Sequence, residues 1–140
     1  MLGFALSVYT WQVRRQKYFV HGHPASASSW DLPEVMAVRT MEGVATVLND
    51  ACVFDMKAVD TDGVEKPVKK PARWMSNAPA LLRHLVGRCA GRHPEHTQLL
   101  GGRAAGAAVY PPELVLAIVR GLQAQRAEDH AMGRGPCPLS

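Results

Sequence analysis

Cysteine and histidine side chains that could bind a metal ion lie close together in one segment of the chain, CAGRHPEH. Its Cys89, His93 and His96 would supply a thiolate and two imidazoles, which are plausible zinc ligands at such short spacing, and Cys52 could complete the set. The alternative interpretation is a helix end followed by a polar loop. We favour this alternative, because a zinc motif is specific only when four ligands stand at a recognised spacing.

Basic and aromatic side chains form a second candidate site, for nucleic acid. It consists of Lys66, Lys69, Lys70, Arg73 and Trp74, and a separate basic group consists of Arg14, Arg15 and Lys17. Cations neutralise phosphates, and an aromatic ring can stack on a base. Acidic neighbours between positions 55 and 65 weaken the local field, so a solvated loop is the alternative. Binding would be weak, nonspecific and salt-sensitive, because phosphate contacts read no sequence.

Other reactive side chains do not form a recognisable catalytic motif. Ser26, Ser28 or Ser29 could be combined with His23 and Asp50 into a hydrolase triad, but the G-x-S-x-G elbow that marks a nucleophilic serine is missing from the sequence. His21 and His23 stand at the end of a predicted strand. We expect these two imidazoles to point to opposite faces of the strand rather than to converge. No catalytic residue is predicted.

Length and composition indicate one domain in a reducing compartment. The chain has 140 residues, a net charge of +4 and a pI near 9.2, which is compatible with a polyanionic partner. Its three cysteines have no framework spacing, so we expect an intracellular protein, nuclear or cytoplasmic. The apolar start is interrupted at Gln12 and Arg14, well short of the roughly twenty residues that span a bilayer, so no membrane contact is expected.

The pattern of apolar residues predicts a small α/β fold. Helices and strands are expected in the order helix, strand, helix, strand, strand, helix, helix, which gives a layered sheet of about three or four strands with flanking helices. We predict an N-terminal helix over residues 1–16, a single α/β domain over 17–126 and a flexible tail over 127–140. An edge of the sheet would lie open, which favours self-association.

Two segments between the predicted helices carry further expectations. The unbroken apolar run VATVL is typical of a parallel strand covered on both faces, and ligands bind at the carboxyl end of such strands, where Asn49, Asp50 and Cys52 lie. Residues 57–71 alternate charges with Gly and Pro, which indicates an exposed hairpin or a disordered loop.

Several motifs together resemble the later part of the cytosine-5 DNA methyltransferases. They are YFVHGHP with a Ser-Trp loop, NDACVFDM and KKPARWMSN. CAGRHPEH and AAVYPPELVLAIVRG are similar to segments that accompany derived copies of this block in Copia-type, retrovirus-related retrotransposon polyproteins. The resemblance covers about residues 17–123. It implies half of a Rossmann-like methyltransferase fold.

The departures from the family imply a degenerate copy. The motif glutamate that holds the cytosine falls on Gly22, and neither the Pro-Cys nucleophile segment nor the S-adenosylmethionine loop has a counterpart before Lys17. We therefore expect no cofactor, no enzymatic activity and a noncatalytic polyprotein fragment that contacts DNA or RNA weakly. The alternative is a relic or partner-completed cytosine-5 DNA methyltransferase.

Overall fold

Four α-helices and five β-strands make up the described part of the chain. The computed structural model describes residues 2–91, 95–97 and 110–133. The helices are α1 (Leu2–Arg14), α2 (Pro33–Arg39), α3 (Pro79–Leu85) and α4 (Pro112–Ala131). The strands are β1 (Val20–Pro24), β2 (Ala45–Asp50), β3 (Lys57–Val59), β4 (Glu65–Pro67) and β5 (Pro71–Ser76), and two 3₁₀ turns span Ser28–Asp31 and Ala51–Phe54.

The main sheet has three strands in the order β1-β5-β2, and both pairings are antiparallel. The expectation that the VATVL strand is parallel to its neighbour is therefore wrong. The chain returns from β2 to β5 through the short β3–β4 hairpin, and short connections of this kind join antiparallel strands, whereas parallel neighbours need a crossover. The apolar run is explained instead by helices on both faces of the sheet. The resemblance to half of a Rossmann-like fold is not shown by these strands.

Side chains that alternate along the central strand β5 enter two separate cores. Met75 packs with Phe19 and Trp30 beneath α1 and α2, and Trp74 packs with Leu81 and Leu114 beneath α3 and α4. Successive strand residues point to opposite faces, so one strand supplies both cores. The result is a helix–sheet–helix arrangement of three layers. The predicted class, a small layered α/β fold with flanking helices, is confirmed.

The β3–β4 hairpin confirms one of the two alternatives for residues 57–71. Lys57 pairs with Pro67 and Val59 with Glu65, and Gly63 occupies the turn with a φ of +80° that favours glycine. The hairpin buries Val68 and Met56 in a small cluster of its own. Polar turn residues therefore mark a hairpin here rather than a disordered loop.

The apolar spacing in the sequence predicts a helix over residues 78–89, and helix α3 is shorter than this prediction. The helix stops at Leu85, and Val86 is extended. Gly87 then forms a parallel bridge with Asn49 at the end of β2, with hydrogen bonds Asp50 N to Gly87 O and Gly87 N to Leu48 O. Pairing with β2 thus ends the helix before Cys89. Helix α4 packs on α3 through Gly121, where a Cβ atom would lie 2.8 Å from a Leu81 methyl.

Candidate nucleic-acid interface and metal-ligating cluster

The structure does not bring the five predicted nucleic-acid residues together on one surface. Arg73 and Trp74 are consecutive in β5 and point to opposite faces of the sheet. The Arg73 guanidinium lies 5.8 Å from the centroid of the Trp30 ring and donates to the Thr46 hydroxyl. Trp74 is only 3% exposed. These two residues therefore cannot form a joint platform for a base and its phosphate.

Lys66 is engaged by acidic side chains of the hairpin and of the segment beyond it. Its Nζ lies 2.9 Å from Asp60, 3.1 Å from Asp62 and 3.4 Å from Glu95. The hydrogen bonds from Lys66 lower the pKa of Asp60 and contribute to the lowered pKa of Asp62, and the carboxylates raise the pKa of Lys66. This ammonium group is neutralised locally, so we do not assign it to a phosphate.

Lys69 and Lys70 are the two predicted residues that stay available to a phosphate. Lys69 is exposed and Lys70 is half-buried, and neither forms an ion pair with a residue in the described ranges. The backbone of Lys70 is held by a hydrogen bond from Ala51 N to Lys70 O, which fixes the start of β5 against the end of β2. The position of Lys70 is thus set by the sheet.

An aromatic cleft opens beside Lys70, on the face of the sheet that carries α3 and α4. It has a volume of ≈ 180 Å³, and the Trp74 and Tyr110 rings on its wall lie 5.7 Å apart between centroids at 55°. Lys70, Asn49 and His23 are its polar lining residues, although the His23 side chain lies on the opposite face of β1, and none of the described lining residues is acidic. Tyr110 is 48% exposed. The cleft combines an accessible aromatic ring with a cation.

Helix α4 begins at the mouth of this cleft. Pro111 and Leu114 line the cleft, and no side chain caps the helix, whose first residue is Pro112. Glu113 in the first turn places a negative charge at the positive end of the helix dipole. Asn49, at the end of β2, also lines the cleft and donates to Leu85 O. Trp74 Nε1 has no acceptor among the described residues.

Gly22, where the resemblance places the methyltransferase glutamate, also lines the cleft. It pairs with Trp74 across the β1–β5 ladder, and a Cβ atom at this position would lie 2.5 Å from the Trp74 ring. Any side chain here would require the indole to move. Glycine at this position is therefore a packing requirement of Trp74, and the glutamate and Trp74 in its present place exclude each other.

A second exposed aromatic ring with cations lies on α1. Trp11 is 49% exposed, with the Arg15 guanidinium 4.6 Å and the Lys17 ammonium 5.6 Å from its ring centroid. These residues include two members of the basic group at positions 14–17. Trp11 was not singled out from the sequence, although it stands four residues before Arg15. Side chains at this spacing are neighbours on the surface of a helix. This surface is a second place where an exposed aromatic ring lies beside cations.

The structure brings Cys52, Cys89 and His96 together, which we call the Cys-His cluster. One donor atom from each of the three residues lies within 4.8 Å of the others, and Cys89 Sγ is 3.6 Å from His96 Nε2. The predicted candidate His93 lies outside the described residues. The sequence favoured a plain polar loop, with Cys52 named as a residue that could complete a ligand set, and the fold places Cys52 beside Cys89 and His96.

Buried Asp50 connects the segments that carry the two cysteines. It is fully buried, its Oδ2 accepts from Cys89 N at 2.7 Å and contacts Arg88, and its Oδ1 has no hydrogen-bond partner among the described residues. Burial, the Cys89 thiol and the charge of Asp50 raise the pKa of Cys52 to about 11. The two cysteines are not joined by a disulfide. Without a cation, this environment keeps Cys52 protonated.

His21 and His23 share one face of β1, which corrects the expectation of opposite faces. Their ring centroids are 6.1 Å apart, as follows for residues two apart in a strand. Tyr9 Oη lies 2.9 Å from His21 Nδ1, and the His21 ring meets the edge of Trp30. Burial, and then the charge of His23, lower the pKa of His21. His21 is a packing residue of the core beneath α1 and α2.

Comparison with known proteins identifies no relative. No family model, no curated protein and no solved structure matches this chain. The similarity to methyltransferase and retrotransposon sequences therefore stays a prediction. No helix in the described ranges combines the length and the apolar character that crossing a membrane requires.

Proposed function

We propose that this chain is a noncatalytic accessory module of a retroelement polyprotein that binds single-stranded nucleic acid weakly and without sequence preference. The observation that supports this proposal is the cleft, whose lining includes the exposed ring of Tyr110 and Lys70, and in which none of the described lining residues is acidic. Aromatic stacking with a cation for the phosphate is the recurrent chemistry of nonspecific single-strand binding. Contact with DNA or RNA would place the module in the nucleus or the cytoplasm.

The ligand is a single strand because the aromatic ring must reach an unstacked base. In this arrangement a base lies on Tyr110 at the mouth of the cleft, and the flanking phosphates meet Lys70 in the lining and the exposed Lys69 next to it in the chain. Bases in a duplex are stacked and give Tyr110 no face to contact. Sequence preference is absent because stacking and phosphate contacts tolerate every base.

The absence of activity is proposed on the basis of Gly22. The resemblance assigns the cytosine-holding glutamate to this position, where glycine has no side chain and the Trp74 ring occupies the adjacent space. The rival proposal, a relic or partner-completed cytosine-5 DNA methyltransferase, draws on the position of Gly22 in the wall of the same cleft. S-adenosylmethionine binding by an assembled complex, and not by the chain alone, would favour the rival.

Fluorescence anisotropy of labelled oligonucleotides tests the binding proposal. The full chain is titrated with single-stranded and duplex probes at two salt concentrations. Tyr110→Ala is expected to weaken single-strand binding roughly 5- to 150-fold, since stacking on one aromatic contributes about 1–3 kcal/mol. Lys69→Ala/Lys70→Ala is expected to lower the salt slope by about 1.4, because two phosphate contacts are lost.

The matched control is Arg120→Ala/Arg126→Ala, which makes the same change in net charge on exposed positions of α4. This variant should leave the salt slope unchanged and lower the affinity only slightly. Failure of the wild-type chain to bind at low salt would contradict the proposal. Equal losses of affinity in the lysine variant and in the arginine control would show that net charge, and not the cleft, attracts the probe.

A further inference from the structure

The geometry points to a zinc site formed by Cys52, Cys89 and His96, with a fourth position open to water or a further ligand. The site is separate from the proposed nucleic-acid binding and does not depend on it. Two soft thiolates and an imidazole match zinc, whereas magnesium and calcium select oxygen ligands.

The measured separation of the donors agrees with zinc coordination. Zinc bonds of about 2.3 Å to sulfur and about 2.1 Å to nitrogen, at a tetrahedral angle, place sulfur and nitrogen about 3.6 Å apart and two sulfurs about 3.8 Å apart. Cys89 Sγ and His96 Nε2 are 3.6 Å apart, and all three donors lie within 4.8 Å of one another. Only small side-chain movements are needed to bring the Cys52 thiolate into the same shell.

Backbone contacts hold the three ligand-bearing segments together without a metal. Cys52 lies in the 3₁₀ turn that follows β2, and Cys89 is held by its N–H bond to Asp50 Oδ2 at 2.7 Å. His96 is held because its neighbour Thr97 donates to Pro67 O at 3.0 Å and forms a bridge with Val68. Each segment is fixed by a contact that does not involve the donor atoms. The site is therefore largely formed in advance, which lowers the entropic cost of binding.

Charge around the cluster independently favours a cation. Asp50 is fully buried, and its Oδ1 has no hydrogen-bond partner in the described ranges. An unpaired buried carboxylate oxygen is costly, and a nearby divalent ion stabilises it electrostatically. Arg88, the basic contact of Asp50 at 3.3 Å, is about half-exposed and is shielded by solvent. Asp50 would act as a positioning residue, since it holds Cys89 rather than the metal.

Zinc uptake follows a balanced exchange of protons for metal. The Cys52 and Cys89 thiols each lose a proton as the two zinc–sulfur bonds form, neutral His96 donates its lone pair, and two protons pass to solvent for each zinc ion bound. Cys52 is 5% exposed, while Cys89 and His96 are half-buried. The more open side, toward Cys89 and His96, is the entry path for the ion.

The test measures metal in the full chain, purified under reducing conditions from zinc-supplemented medium. We expect an equimolar amount of zinc by mass spectrometry, and an X-ray absorption spectrum with two sulfur ligands and nitrogen or oxygen in the remaining positions. Cys52→Ser, Cys89→Ser and His96→Asn should each retain less than about a tenth of the wild-type metal, a loss of at least tenfold at fixed zinc. Cys137→Ser and His130→Asn are the matched controls and should retain it.

Cobalt titration of the metal-free wild-type chain keeps the test decisive if a variant does not fold. Co²⁺ in a tetrahedral thiolate site gives a thiolate-to-metal charge-transfer band together with visible d–d bands, and zinc should abolish both. No cobalt spectrum and no retained zinc in a chain that circular dichroism shows to be folded would overturn the site. Retention of zinc by Cys52→Ser/Cys89→Ser, or a Cys52–Cys89 disulfide in the reduced preparation, would also overturn it.

Discussion

The cleft and the Cys-His cluster adjoin the same end of β2, but they are built from different kinds of structure. The cleft wall consists of paired strand residues, Gly22 with Trp74 and Asn49 with Ala72, and of the first turn of α4. The cluster consists of a 3₁₀ turn, a loop and an isolated bridge that meet through Asp50 and Val68. The cleft therefore depends on core packing, whereas the cluster depends on a few polar contacts and, in our proposal, on zinc.

Truncation of Trp74 should give the largest effect on the cleft side. Trp74→Ala removes a ring from the core formed with Leu81, Leu85 and Leu114. We expect the free energy of unfolding to fall by about 3–5 kcal/mol in chemical denaturation. The control Trp11→Ala removes an exposed ring from α1 and should cost less than about 1 kcal/mol. Equal losses of unfolding free energy in the two variants would refute the role of Trp74 in the core.

Removal of zinc should give the next largest effect, on the cluster side. Chelation of a zinc-loaded sample is expected to lower the free energy of unfolding by about 2.7 kcal/mol when free zinc had been held near 100 times its dissociation constant. Hydrogen exchange should rise in residues 87–91 and 95–97 and not in the β1–β5 ladder, because only the former segments depend on the ligands. A uniform rise in hydrogen exchange across the chain would show that the cluster does not open independently of the β1–β5 ladder.

Addition of a methyl group at Gly22 should disturb the cleft by a smaller amount. Its Cβ atom would lie 2.5 Å from the Trp74 ring, so Gly22→Ala is expected to cost about 1–3 kcal/mol in unfolding free energy. Gly3→Ala is the control, because nothing lies within 4 Å of a Cβ atom at Gly3 and alanine favours the helix. A Gly22→Ala chain as stable as the wild type would show that the indole is free to move.

Acidification should give the smallest effect, and it concerns the opposite face of the sheet. Burial lowers the pKa of His21 from its usual 6.5, so below pH 6.5 the unfolded chain takes up a proton that the folded chain resists. Stability should therefore fall as the pH drops through 6.5 toward the folded pKa. His21→Phe should reduce this pH dependence, measured as unfolding free energies at pH 7.5 and 5.5, and the exposed control His130→Gln should not.

Regular elements could be predicted from the sequence because local signals determine them. The apolar spacing of Leu81, Leu82 and Leu85 predicted α3, and alternating charges with glycine predicted the hairpin around Gly63. The direction of β2 was not predictable, because an apolar run covered on both faces looks alike in parallel and antiparallel sheets. Helix α3 ends early because Gly87 pairs with Asn49. This is a long-range contact, which has no local signal in the sequence.

Candidate sites were predicted less well than elements, for two physical reasons. The basic group was assembled from neighbours in sequence, but strand alternation separates Arg73 from Trp74, and acidic residues of the hairpin engage Lys66. Tyr110 was missed because it reaches the cleft only through the packing of α4. Cys52 was joined to Cys89 and His96 by the fold, across 37 residues to Cys89, which local spacing does not report.

Photo-crosslinking of a single-stranded oligonucleotide that carries 5-iodouracil, followed by peptide mass spectrometry, tests the central claim most directly. The probe compares two exposed aromatic side chains, Tyr110 at the cleft and Trp11 on α1, in one sample. We predict a salt-sensitive crosslink at Tyr110 that Lys69→Ala/Lys70→Ala weakens. A crosslink confined to Trp11, or none at low salt with a folded chain, would contradict the assignment of the cleft as the nucleic-acid site.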